Sequence, residues 1–324
     1  MKNLYVHYAS KLSEGIIPPT CEIYLTQKCN QNCNYCNSVQ YRKNTETIAV
    51  EYEWYRLLGE LRGIKAVVFS GGGEPTLFEG YERIVNVAIE KGFLVSLITN
   101  GTRLDKLLMI DNLREISWIG VDFDAGTKEL YNEIRNPENR DDFDIVSSNV
   151  EFLVRAGVTV DMKVLLHEKN DNPTAIGDIF KHAKKLGVRM VYFRPMVNDS
   201  EIYNISLHTH EDISKCSDFL SVPYRLNLTR LMKKTYDKCY SLYLMPVFTT
   251  NGDVYLCCEN LYRKDFILYN WLKDYFKDHW SNQKHRELFE NADLSKCRDC
   301  RGIIHNIEID KILKNKEKLE DLFF

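Results

Sequence analysis

From residue 20 onward, short apolar runs alternate with stretches whose apolar residues recur every three or four positions. TCEIYLTQ (20–27) alternates apolar and polar side chains as a half-buried strand does. EYEWYRLLGELRGI (51–64) has helical periodicity, and KAVVFS (65–70) is a short apolar run that stops at three glycines, as a buried strand would. The alternation continues with a helix over YERIVNVAIEKG (81–92), a strand over FLVSLITNG (93–101), and a helix near RLDKLLMIDNL (103–113). A strand over EISWIGVDFDAG (115–126), a helix over DIVSSNVEFLVRAG (144–157) and a strand over VTVDMKVLL (158–166) follow. A helix over AIGDIFKHAKKLG (175–187) and a strand over VRMVYFRPM (188–196) close the series. Strands separated by helices in this way predict a parallel α/β fold. In parallel α/β barrels the working groups collect at the C-terminal ends of the strands. The stretches TQKCNQNCNYC, SGGGEP, TNG, DAG and RPM all fall at such ends.

The pattern changes after residue 197. Residues 198–238 show no clear period and read as a connecting segment. MPVFTTNGDVYLCC (245–258) is two apolar runs around Asn-Gly, a type I′ hairpin signal. KILKNKEKLEDLFF (311–324) reads as a short helix or tail. The predicted organisation is an N-terminal extension (1–19), a barrel domain (20–197), the connecting segment (198–238) and a smaller C-terminal unit (239–324).

Composition narrows the class. A chain of 324 residues, 44% hydrophobic and 27% charged, is that of a soluble globular protein. A formal charge of −3 leaves no basic footprint for nucleic acid. No apolar run reaches membrane-spanning length, and MKNLYVHYASKLSEG has no continuous apolar core for a signal peptide. The expected location is the cytoplasm, where a disulfide framework is disfavoured. The ten cysteines are clustered: Cys21, a triplet at Cys29, Cys33 and Cys36, and six from Cys216 onward. That clustering points to two metal sites, one toward each end of the chain.

The triplet has the spacing C-x3-C-x2-C. A cubic [4Fe-4S] cluster takes thiolates at its corners. Three cysteines leave one iron open to bind and activate a small molecule, whereas electron-transfer clusters usually carry four. The competing reading is structural zinc, which pairs tighter knuckles. Here the Cys29–Cys33 gap is one residue too wide for that knuckle, and no histidine lies between His7 and His167.

The cysteine loop after a first strand, with GGEP after the second, closely resembles the radical S-adenosylmethionine superfamily. The resemblance covers roughly residues 20–196 and implies a partial (β/α)6 barrel, TIM-like in architecture. It further implies that S-adenosylmethionine chelates the open iron of a [4Fe-4S] cluster bound by Cys29, Cys33 and Cys36. Reductive cleavage then yields a 5′-deoxyadenosyl radical that takes a hydrogen atom from the substrate. On the same resemblance Tyr35 lies against the adenine, and Gly72, Gly73 and Glu74 receive the methionine amino group. Asn100 and Asp122 stand at the ends of strands three and four. Many relatives have serine where Asp122 sits, so a ribose or substrate contact is its alternative. Asp124 is expected to cap the following helix. Arg135 is expected either to pair with the cofactor carboxylate, which its guanidinium fork suits, or to form a surface ion pair. Arg194, in FRPM, is a candidate contact for an anionic substrate group.

Cys239, Cys257, Cys297 and Cys300 form C-x17-C…C-x2-C, which satisfies a full [4Fe-4S] cluster or an all-cysteine zinc site. Beside the N-terminal motif, the set resembles the twitch domain, a shortened SPASM-like unit that holds an auxiliary [4Fe-4S] cluster on a β-hairpin and helices. Cys257 and Cys258 are adjacent, and neighbouring strand residues point to opposite faces, so Cys257 is taken as the ligand. Cys21 and Cys216 are left over, and a buried inert thiol is the ordinary reading of each. Some radical epimerases use a spare thiol as hydrogen-atom donor, which makes Cys216 the candidate for that role.

Three functions follow as expectations. One is a radical oxidoreductase or epimerase acting on a small polar molecule such as a sugar, cyclitol or nucleotide-linked sugar. The start of the first strand near Thr20 leaves no obvious N-terminal peptide-recognition domain, which favours it. The second is radical modification of a ribosomal peptide by epimerisation, crosslinking or oxidation. The third is a non-enzymatic protein with two zinc sites. The resemblance also implies an external electron donor of the flavodoxin or ferredoxin type.

Overall fold

The computed structural model describes residues 2–11, 15–42, 47–198, 201–297 and 299–320. Six strands lie side by side in chain order, each parallel to the next: β1 (Thr20–Tyr24), β2 (Ala66–Ser70), β3 (Leu94–Thr99), β4 (Trp118–Asp122), β5 (Val160–Leu166) and β6 (Met190–Pro195). The register places Ile23 opposite Phe69, Phe69 opposite Leu97, and Leu97 opposite Ile119. All four are buried in the main core. Strand side chains alternate between faces, so the residues between them, among them Glu22, Val68 and Ile98, line the lumen instead.

The helices are α1 (Lys2–Lys11), α2 (Val39–Arg42), α3 (Glu51–Glu60), α4 (Tyr81–Glu90), α5 (Lys128–Arg135) and α6 (Asp142–Arg155), then α7 (Pro173–Leu186) and α8 (Thr209–Leu220). Their ends follow local chemistry. Asn172 accepts from the Ala175 amide at the start of α7, Pro173 occupies the first turn, and Gly187 closes the helix in the left-handed region. Thr127, not Asp124, caps α5. The stretch expected as a helix near 103–113 forms a 3-10 turn over Leu104–Met109 instead.

The connecting segment contributes to the barrel. After α8, β7 (Tyr224–Leu226) adds in parallel to β6. Its three residues are too few to register as a period in sequence. At the other edge, β8 (Val247–Thr249) pairs in parallel with β1, and β9 (Asp253–Tyr255) and β10 (Ile267–Asn270) continue antiparallel. The hairpin expected around Asn-Gly is β8–β9, but its turn is not type I′: Gly252 has a positive φ (94°) and Asn251 does not. The described strands make one open ten-stranded sheet, ordered β10-β9-β8-β1-β2-β3-β4-β5-β6-β7. The C-terminal unit is thus joined to the barrel by main-chain pairing. Trp54 of α3 and Trp271, both buried, reinforce the join with ring centroids 4.5 Å apart.

The chain ends with α9 (Phe276–His279), α10 (Gln283–Glu290) and α11 (Ile303–Glu320). The C-terminal helix is longer than expected, and residues 321–324 of the predicted tail lie outside the described residues. The N-terminal extension is not a free arm. Tyr5, Tyr8 and Ala9 of α1 form a second small core with Tyr240, Tyr243, Leu244 and Ile309. Among the described residues no helix is long and apolar enough to cross a membrane.

Candidate active site

The loop leaving β1 carries the cysteine triplet, and the glycine turn after β2 holds it in place by main-chain contacts. The Gly73 amide donates to the Thr26 carbonyl (3.2 Å) and the Glu74 amide to the Lys28 carbonyl (2.7 Å). A Cβ on Gly73 would stand 2.2 Å from the Lys28 carbonyl oxygen. Only glycine permits this approach. Gly73→Ala is therefore expected to cost about 1–3 kcal/mol of stability through overpacking. Gly177→Ala on α7, where a Cβ would meet nothing within 4 Å, serves as the control. Thermal unfolding of both proteins checks this, and equal melting temperatures would refute the close-approach account.

Glu74 is buried and fully engaged within the protein. Its Oε1 accepts from the Thr76 amide (3.1 Å), Thr76 Oγ1 (2.6 Å) and Thr99 Oγ1 (2.6 Å), and its Oε2 from the Asn100 amide (2.7 Å). Burial pushes its carboxyl up and these donors pull it partly back. Its role here is to bolt the glycine turn to the end of β3. Asn100 does the same for the cysteine loop: Nδ2 donates to Asn30 Oδ1 (2.8 Å), while Oδ1 accepts from Thr102.

Asp124 and Arg135 form a buried pair, 1% and 6% exposed, with Arg135 Nη1 2.7 Å from Asp124 Oδ2. The same guanidinium donates from Nε to Gln31 Oε1 (2.9 Å) and from Nη1 to Tyr35 Oη (3.0 Å). Tyr35 Oη in turn donates to Asp124, and Asp124 Oδ1 accepts from the Leu165 amide (2.7 Å). Asp124 thus ties the cysteine loop, α5 and β5 together, which corrects its expected role as a helix cap. Arg135 corrects the surface-pair expectation: it is buried and spoken for by Asp124, although it still borders the cavity. Gln31 was not singled out from sequence. Its place between Cys29 and Cys33 was the available signal.

Cys29, Cys33 and Cys36 face one cavity of about 200 Å³ together with Gly72, Gly73 and Glu74. Tyr35, Asn100, Asp122, Arg135 and Arg194 border the same cavity, so the fold gathers these sequence-predicted residues at one mouth. Cys216 is not among them. It sits on α8, where the charges that act on it are Asp212 of its own helix and Lys181 of α7. The structure places it on an outer helix packed on α7, and it does not line the cysteine cavity.

Deeper in the barrel, Lys163 of β5 lies 3.6 Å from Asp122. Burial drives its ammonium down to about 8, and Arg194 and Arg301 press the same way against the pull of Asp122. The pair gives Asp122 a partner on the neighbouring strand. Lys163 escaped the sequence reading, and its only signal was a charge inside an apolar strand. Arg301, next to Cys300, crosses from the C-terminal unit into the lumen. Its Nη1 donates to Glu22 of β1 (3.0 Å) and to Cys258 Sγ (3.4 Å).

Two cysteines of the second set, Cys239 and Cys300, meet at Asn306 of α11. Its Nδ2 points to Cys239 Sγ (3.5 Å) and Cys300 Sγ (3.7 Å), while its Oδ1 accepts from the Ser241 amide. Tyr236 Oη donates to Cys300 Sγ (3.0 Å) and Asn260 Nδ2 to Cys297 Sγ (3.6 Å). Cys258 turns to Arg301, and Cys257 stands beside it, half-buried.

The donor chemistry of both sets fits iron–sulfur clusters. Burial pushes the thiols of Cys33 and Cys239 up to about 12, so as thiolates they need a cationic partner such as a metal cluster.

Comparison with known proteins agrees with this geometry. The family model described as the radical SAM superfamily matches residues 23–176, and one described as an iron–sulfur cluster-binding domain matches residues 239–301. An S-adenosylmethionine-dependent nucleotide dehydratase from Selenomonas ruminantium is 31% identical over 107 residues, 32% of this chain and 38% of that protein. Mycofactocin maturase MftC of Mycolicibacterium smegmatis is 23% identical over 313 residues, 90% of this chain and 77% of that one. The crystal structure of Streptococcus suis SuiB bound to precursor peptide SuiA superimposes with a TM-score of 0.69 at 13% identity, covering 89% of this chain and 70% of that chain. That likeness shows a shared fold. Matches to the first curated relatives span 25% to 50% of those proteins' length.

Proposed function

Because the chain belongs to the radical S-adenosylmethionine superfamily and carries an iron–sulfur cluster-binding domain after its barrel, we propose that it removes a hydrogen atom from a small polar substrate, with oxidation or epimerisation as the outcome. One observation carries this reading. The cysteine-lined cavity and a larger lumen cavity of about 610 Å³ share Ile98, Lys163, Arg194 and Arg301, so a molecule in the lumen reaches the cysteine mouth. Cys29, Cys33 and Cys36 would hold the [4Fe-4S] cluster that binds S-adenosylmethionine, and Cys239, Cys257, Cys297 and Cys300 the auxiliary one. When bound, these groups supply a 5′-deoxyadenosyl radical and a second redox centre.

The chain's own residues orient and shield. The glycine turn brings main chain to the cofactor position. Tyr35, fixed through Asp124 and Arg135, presents its ring at the cavity wall. Lys163, with Asp122 3.6 Å away, borders both cavities and can exchange a proton with a substrate hydroxyl, since burial lowers its ammonium to about 8. We place the enzyme in the cytoplasm, with a flavodoxin or ferredoxin as electron donor.

A second reading is peptide modification. It is favoured by the 90% coverage of this chain by mycofactocin maturase MftC and by the likeness to SuiB, whose structure holds a precursor peptide. Deuterium transfer separates the two. Anaerobically reconstituted protein with S-adenosylmethionine and reductant should label 5′-deoxyadenosine from a deuterated sugar or nucleotide-linked sugar. Label arriving only from a deuterated peptide would transfer the assignment to the second reading. Stoichiometric zinc with no iron would refute both.

A further inference from the structure

Parallel barrels ordinarily fill their interior with layers of side chains. This one keeps a chamber of about 610 Å³ whose wall includes Glu22, Asp161, Lys163, Arg189, Arg194 and Arg301. Gly120 makes room for two side chains of this wall: a Cβ there would lie 2.5 Å from the Trp118 ring and 2.6 Å from Lys163 Cδ.

Most of the charges in this wall are already matched. Arg189 pairs with Asp161 (2.6 Å), Arg301 with Glu22 (3.0 Å) and Glu259 (2.9 Å), and Arg230 with Glu259 (3.0 Å) and Asp299 (3.2 Å). Lys163 has only the looser contact to Asp122 at 3.6 Å. Arg194 has no hydrogen bond or ion pair among the described residues, and its Nε is buried without an acceptor. A guanidinium cannot discharge by losing its proton. Arg194 is half-buried, and Asp122 and Glu259 act on it without forming a contact, so its buried, unpaired Nε offers a place for an anion. It stands where the chamber meets the cysteine cavity.

Building on the proposed function, we propose that the lumen binds the oxyanion of the substrate, a phosphate or a carboxylate, with Arg194 as its anchor and Lys163 as the second cation. A planar fork binds either group through two parallel hydrogen bonds. The anchored end then fixes which carbon faces the cysteine mouth.

Calorimetric titration of the reconstituted full chain, saturated with S-adenosylmethionine so that its own carboxylate is already placed, tests this with two probes at constant ionic strength. Inorganic pyrophosphate stands for phosphorylated substrates and succinate for carboxylates, and the tighter probe names the source. Arg194→Gln is expected to weaken the tighter probe about tenfold or more. Arg194→Lys should lose less, and Arg83→Gln, an exposed pair partner of Glu51 on α4, should stay within about twofold. Binding of neither probe, equal affinity in Arg194→Gln, or an equal loss in Arg83→Gln would overturn the proposal. Circular dichroism confirms that each variant is folded. Iron content and substrate-free 5′-deoxyadenosine formation, read on the same samples, report the radical reading separately. Cleavage without anion binding sinks the anchor alone, and anion binding without iron sinks the radical chemistry alone.

Discussion

Replacing Cys33 with alanine is expected to leave about four irons per chain where the unchanged protein holds about eight, and to abolish cleavage of S-adenosylmethionine. Cys33 is the middle cysteine, and the proposed middle ligand, of a loop that main-chain contacts to the glycine turn and the Asn100–Asn30 contact hold at the cavity. Its thiol is half-buried and faces the same cavity as Cys29 and Cys36. A cubic cluster with only two protein thiolates lacks both its anchorage and the distinction between three ligated irons and one open iron. The rate should fall by at least about a thousandfold, roughly 4 kcal/mol in activation free energy. Cys216→Ala is the comparison, since α8 holds that thiol away from the cavity: iron and cleavage should both be retained. Iron and sulfide analysis with chromatography of 5′-deoxyadenosine reads both variants. Eight irons or undiminished cleavage in Cys33→Ala would remove the triplet from its assigned role.

Arg135→Met should have the largest effect on stability. It leaves the Asp124 carboxylate, 1% exposed, without its cation. Breaking a buried pair from one side costs about 3–5 kcal/mol, because the remaining charge stays out of water. Arg135→Lys should recover little, since one ammonium cannot serve Gln31, Tyr35 and Asp124 through the three contacts that the fork makes. Adding Asp124→Asn to Arg135→Met should restore part of the loss, the non-additivity expected of residues in contact. Urea unfolding midpoints of the three variants measure this. A single Arg135→Met variant within about 1 kcal/mol of the parent would mean that water reaches Asp124. The same substitution frees Gln31 and Tyr35, so less iron should be retained after reconstitution.

The sequence displayed what is local. Six parallel strands, the Asn-Gly hairpin and the cysteine triplet are properties of residues near one another in the chain. Periodicity and spacing report such features directly, and the parallel α/β fold and the two cysteine clusters were legible from them, while the partial barrel and its cofactor chemistry followed from the family resemblance. The short β7 was not, because three residues carry no period. Nor was the pairing of β8 with β1, since an edge strand does not encode which edge it meets.

The roles of individual charges were decided only by the tertiary structure. Asp124 read as a helix cap and Arg135 as a cofactor contact or surface pair because sequence shows a residue's chemistry without its partners. Gln31 reaches Arg135 across 104 positions, and Arg301 reaches Glu22 across 279. A buried charge must find compensation, and that compensation is set by where the chain returns in space. The sequence by itself therefore determined the parallel α/β frame and which cysteines gather at its mouth. Folding decided which polar side chains are spent holding that mouth together and which, such as Arg194, keep no hydrogen bond among the described residues.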